Sequence, residues 1–139
     1  MLCRQCEEAC APAGCTKIGM CGKTEELSTA MDTLIGTLIE LAALGRTGSE
    51  ADEIIVDGLF MTLSNTNFDE SRIVSLTEAA RHLIGAPVDI RVPDILSLDA
   101  DEDLRSLKEL LLLGLKGMAA YYYHASLWLR PGDVRCTAH

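Results

Sequence analysis

Aromatic residues make up only 4% of this 139-residue chain: two Phe, three Tyr and one Trp. A groove that stacks nucleic-acid bases needs several such side chains, so a single-strand binder is excluded as a class. Cations are scarce as well, with 12 Lys and Arg against 21 Asp and Glu and a net charge of −9. Nucleic acid and anionic membrane both require a cationic face, so neither is a partner this composition suits. The amino-terminal stretch has no cationic n-region followed by an apolar h-region and a cleavage site, and the chain reads as cytoplasmic. Strand signals are nearly missing. Residues 86–98 hold Val88, Ile90, Val92 and Ile95 around Pro87 and Pro93, but no second strand exists to pair with them, and a lone strand is not stable. This segment reads as a connection lying across the rest.

Against this background, cysteine is concentrated. Five of six lie in residues 1–23, MLCRQCEEACAPAGCTKIGMCGK, and four of these, Cys3, Cys6, Cys15 and Cys21, make a C-x2-C-x8-C-x5-C pattern. Pro12, Gly14, Gly19 and Gly22 make the stretch a winding loop. It has too few large apolar residues to hold itself together by burial, so the thiols must organise it. Disulfides belong to oxidising compartments. Structural zinc takes four thiolates, usually as two short knuckles, and only one is present. An iron–sulfur cluster takes its ligands from a wrapping loop with uneven gaps. The spacing favours the cluster, then zinc, then disulfides, and leaves all three open. Charge points the same way: residues 1–23 carry net +1 and the remainder −10, so the loop is the one positive region of an acidic chain.

Apolar residues at helical spacing fill most of the remaining chain. The first helix is predicted over 24–45, with Thr24 as cap, Glu25 and Glu26 in its first turn and Gly45 at its end. A second spans 49–64, opened by a Ser49/Asp52 capping box. Ser64 to Asn67 break it, and Phe68 is expected to pack into the core. A third spans 69–85, capped by Asp69 and stopped by Gly85 and Pro87. The last spans 100–130, opened by an Asp99/Glu102 pair. Leu110 to Leu113 and Leu115 cover its whole circumference, which places it centrally in the bundle, with some surface reserved for another chain. Lys116 inside that run argues against a membrane span, and Gly114 and Gly117 allow a neighbouring backbone to come close. The expected fold is all-α: a single domain over 1–139, with a cluster-binding loop (1–23), a helical bundle (24–130) and a tail (131–139). His82 reads as a surface or satisfied core residue, and Cys136 and His139 as part of a non-functional tail.

The string CRQCEEACAPAGCTKIGMCGKTEEL resembles the amino-terminus of the hybrid cluster protein (prismane) family. The matching segments are Met1-Leu2-Cys3-Arg4-Gln5-Cys6-Glu7-Glu8 and Gly19-Met20-Cys21-Gly22-Lys23, then the turn from Asn65 to Asp69, then Gly114 to Tyr121 with His124-Ala125. The gaps are similar to those of the subgroup with a [4Fe–4S] cluster. The resemblance implies that Cys3, Cys6, Cys15 and Cys21 are its ligands, with Cys10 outside the set. It covers about the first 130 residues. Proteins of that family are about four times longer and hold their catalytic hybrid cluster on later domains. What the resemblance implies for this chain is therefore electron relay: an electron-transfer module or small subunit that docks on a redox protein or oxidoreductase subunit, and a dimer through its apolar last helix. Two alternatives stay open. One is a minimal hydroxylamine or nitric oxide reductase, with Cys10, Cys136, His124 or His139 supplying extra iron ligands. The other is a redox or nitric oxide sensor using Cys10.

Overall fold

The computed structural model describes residues 2–3, 5–6, 14–45, 48–63, 66–85 and 101–128. Four helices account for most of them: α1 (Glu25–Ala43), α2 (Ser49–Met61), α3 (Glu70–Ile84) and α4 (Glu102–Trp128). Among the described residues there is no strand beyond a single bridge between Cys3 and Cys15. Cys10, the 86–98 connection and the 131–139 tail lie outside the described residues.

Local chemistry sets the ends of the helices. The Thr24 hydroxyl accepts from Leu27 N at 3.3 Å, and Glu25 and Glu26 sit in the positive first turn of α1. After α1 the chain turns at Gly45, whose φ of 61° suits a residue without Cβ. Asp69 caps α3 by accepting from Ser71 N at 3.0 Å and Arg72 N at 3.4 Å. The Ser71 hydroxyl also donates to it at 2.6 Å, and this bond foremost holds the Asp69 carboxyl below the usual carboxylate range. Gly85 closes α3 in the left-handed conformation.

Two expected caps differ. Helix α2 begins at Ser49 itself, with Gly48 as N-cap and no side-chain cap bond, while Asp52 N donates to Gly48 O at 3.0 Å. Glycine at that position costs only a few tenths of a kcal/mol relative to a hydroxyl cap, and Glu50 and Asp52 in the first turn complement the dipole. The cap of α4 is Asp101, which accepts from Asp103 N at 2.9 Å and Leu104 N at 3.3 Å. Asp99 lies outside the described residues, and Glu102 pairs with Arg105 instead.

The centre of the bundle is α1, not the last helix. Leu27, Met31, Leu34, Ile35, Leu38 and Leu41 of α1 are buried with Ala51 and Ile54 of α2 and Ile73 and Ala80 of α3. Helix α1 packs on both α2 and α3, and it meets α2 closely at Gly58, where an added Cβ would lie 2.6 Å from Leu38 Cδ1. Helix α4 packs on α2 alone among the helices, reaching the core through Leu112. The face turned inward carries Lys116 and Ala119. Leu107, Leu110, Leu111, Met118, Tyr121 and Tyr122 are left exposed. A helix apolar all round needs neighbours on every side to be central, and among the described helices α4 has one. Gly114 and Gly117 face open space rather than a neighbouring backbone. Among the described residues no helix is long and apolar enough to cross a membrane.

Candidate metal centre

The loop that carries the cysteines is held by its own backbone. Cys3 N donates to Cys15 O at 3.0 Å, which ties the first thiol to the third across the loop. A second turn presents Cys21: Gly22 N donates to Gly19 O and Gly19 N to Lys23 O, both at 2.8 Å. A Cβ on Gly19 would sit 3.2 Å from Cys21 Sγ and from Lys23 N, so a side chain there would press on the turn that presents Cys21. Backbone amides already point at sulfur, with Met20 N 3.4 Å from Cys15 Sγ.

All four thiols, Cys3, Cys6, Cys15 and Cys21, are free of disulfides, and Cys15 is the most deeply buried. Among the described residues no three His, Cys, Asp or Glu side chains meet closely enough to hold a single metal ion. A cluster asks for something different, since each thiolate of a cubane binds its own iron.

Beneath the loop lies a network of charge that is almost dry. Lys23 and Lys116 are each 1% exposed, Gln5 3% and Asp32 7%. Gln5 sits between Cys3 and Cys6. Its side-chain amide donates to Asp32 Oδ1 on α1, and its Oε1 accepts from the Lys116 ammonium at 2.7 Å. Lys116 also donates to Gln5 O at 3.4 Å and to Thr62 O, at the end of α2, at 3.3 Å. An ammonium has three N–H donors, and here three acceptors surround it. One lysine thus ties α4 to α2 and to the first knuckle of the loop.

Burial lowers the Lys116 pKa to about 8. The Asp32 carboxylate and the Cys3 thiolate pull it back up, the Lys23 charge pushes it further down, and Cys6 opposes that last push. The second ammonium, Lys23, donates to Cys21 Sγ at 3.7 Å and lies 4.9 Å from the centroid of the Phe68 ring. Phe68 is therefore not the core residue it was expected to be. It is about half exposed and covers a buried cation with its face.

These residues fit an anionic, thiolate-held cluster. The donors are thiols outside any disulfide, and the buried charges among the described residues include two ammonium groups with one carboxylate opposing them. Lys23 was legible as part of the positive loop. Lys116, Gln5 and Asp32 were not read as site residues, although a signal existed. Asp32 sits inside the apolar stripe of α1 and Lys116 inside the leucine run of α4, and a charge at a core position demands a partner. His82 is exposed. His124 is exposed too, and packs edge-on against Phe60 and Tyr123. Cys10, Cys136 and His139 lie outside the described residues.

Comparison with known proteins adds a family. The family model described as Prismane/CO dehydrogenase family matches residues 1–135. A hydroxylamine reductase from Maridesulfovibrio salexigens is 35% identical over 96% of this chain and 31% of its own length. One from Methanosarcina mazei is 36% identical over 90% of this chain and 29% of its own. One from Bacteroides thetaiotaomicron is 36% identical, covering 90% of this chain and 28% of its own. The chain thus spans about 30% of the length of the curated relatives it matches.

Proposed function

Because the chain belongs to the Prismane/CO dehydrogenase family, whose members bind iron–sulfur clusters, we propose that it is an electron-transfer module. In this reading Cys3, Cys6, Cys15 and Cys21 hold one [4Fe–4S] cluster. The observation that carries it is one loop bearing four cysteines outside any disulfide, above two buried ammonium groups. When bound, the cluster supplies a one-electron redox couple. The protein's own residues do the rest. The turn at Gly19 and Gly22 presents Cys21, the Cys3–Cys15 bridge closes the loop, and Gln5 fixes the knuckle between Cys3 and Cys6. Cysteines outside disulfides suit a reducing, cytoplasmic setting.

The exposed apolar face of α4 is the docking surface in this reading, used for a second copy of the chain or for an oxidoreductase subunit. The names of the relatives favour a second reading, in which the chain itself reduces hydroxylamine. One anaerobic preparation separates the two. Iron and acid-labile sulfide near four each per chain, with an EPR signal appearing on dithionite reduction and no turnover of hydroxylamine, supports the module. Clearly more iron together with turnover supports the enzyme. Replacing any one of Cys3, Cys6, Cys15 or Cys21 with Ala abolishes the brown colour, whereas Cys10→Ala keeps it. A colourless, zinc-loaded protein refutes both readings.

A further inference from the structure

We propose that Lys23 and Lys116 are positioning residues for charge: two buried ammonium groups beneath the cysteine loop that raise the electron affinity of the cluster it holds. The inference rests on the cluster assignment made above. A cluster with four thiolates is an anion in both redox states, and reduction adds one electron without making or breaking a bond to the protein. A cation that is close and shielded from water favours the more negative state, and an exposed one does so weakly because solvent screens it. Both lysines meet the first condition. Each is 1% exposed. The Lys23 ammonium reaches Cys21 Sγ at 3.7 Å, under the face of Phe68. The Lys116 ammonium is locked onto the main chain and side chain of Gln5, the residue before Cys6 and two after Cys3.

The plainer role for Lys116 is a staple between α4, α2 and the loop. Its surroundings go beyond that need. A neutral donor on the same face could staple Gln5 and Thr62 without burying a charge, which is costly unless something nearby rewards it. Asp32 is the one described carboxylate in the network, and it reaches Lys116 through Gln5. Among the described buried residues beneath the loop, two ammonium groups thus face one carboxylate. The second cation, Lys23, has a thiol and an aromatic face as its neighbours among the described residues.

The test is an anaerobic redox titration at pH 7, followed by EPR, on the intact protein with iron and sulfide quantified first. Lys116→Met and Lys23→Met each move the midpoint potential to a more negative value. Lys17→Met is the control: Lys17 lies in the same loop, two residues from Cys15, but is exposed, and its removal leaves the potential close to the parent's. Lys116→Arg and Lys23→Arg retain the charge and retain the potential. Equal potentials in the parent and both Met variants overturn the inference while leaving the cluster assignment intact. Where a Met variant takes up no iron, its Arg counterpart decides: loading with the parental potential supports the role of charge, and failure to load assigns the position to shape and overturns it. Absence of any cluster in the parent refutes the function proposed above, a result distinct from all of these.

Discussion

Replacing Lys116 with Met should remove a pH dependence that can be sized from the structure. The lysine titrates at about 8 in the fold, against an ordinary value of 10.5. Between those two pH values the unfolded chain binds a proton that the folded chain does not, so folding becomes more favourable as pH rises across that window. Below pH 8 the buried charge costs its full amount, and above 10.5 it costs nothing. At ~1.4 kcal/mol per pH unit, the difference between 10.5 and about 8 amounts to roughly 3.5 kcal/mol in full, of which about 3 falls between pH 7 and 10.5. Met at this position abolishes that component. It also leaves Gln5 Oε1 and Thr62 O without the ammonium, at about 1–3 kcal/mol for each acceptor left dry and unpaired. At pH 7 the two effects largely offset each other, and the absolute stability of the variant is a weak test. The discriminating quantity is the difference between parent and variant. Urea unfolding of the cluster-free protein under reductant, at half-unit steps from pH 7 to 10.5, should show the parent gaining about 3 kcal/mol on Lys116→Met. Groups that do not interact with Lys116 contribute equally to both proteins and cancel in the subtraction. A difference that stays flat across the range would show that Lys116 is not held in a desolvated site, and the account of the network would be wrong.

Other outcomes follow from single observations. Leu34→Ala empties a fully buried position on α1 and should cost about 2–5 kcal/mol by thermal or urea unfolding, far more than the same change at exposed Leu110. Thr24→Ala removes the hydroxyl that caps α1 and should cost about 1 kcal/mol, with Thr24→Ser restoring most of it. The Asp69 cap is stronger when ionised, as its lowered pKa shows, so its charged contribution is complete above the ordinary carboxylate range. It should fade as pH falls through the lowered value, and Asp69→Asn should flatten that part of the acid unfolding profile. On the outer face of α4, Leu111→Glu with Met118→Glu should leave the melting temperature nearly unchanged and reduce the molar mass by light scattering. Unchanged mass would count against that face as a docking surface.

Local rules carried the helices. The apolar spacing at Leu27, Met31, Leu34, Ile35, Leu38 and Leu41 announced an amphipathic helix, though not that it would be the central one, and Thr24, Asp69, Gly45 and Gly85 marked ends that the structure reproduces within two residues. The same rules misjudged Ser49 and Asp99, because several residues near a helix start can cap it and small energies choose among them. They misjudged α4 for a different reason. Apolarity all round shows that a helix avoids water, not which neighbours it finds, and the face that went inward is the one with the ammonium. Phe68 was legible as apolar but not as the cover of Lys23.

By itself, the order of residues determined what depends on neighbours along the chain: four helices, most of their ends, and a glycine-rich loop whose four cysteines lie at uneven gaps. The tertiary structure alone decided what lies beneath that loop. Gln5, Asp32, Thr62 and Lys116 come from the loop and three different helical regions, and Lys116 is 111 residues from the glutamine it holds. No spacing rule reaches that far. They meet because a charge carried into the interior must find its hydrogen-bond partners there, and the fold that supplies them is the one that is stable.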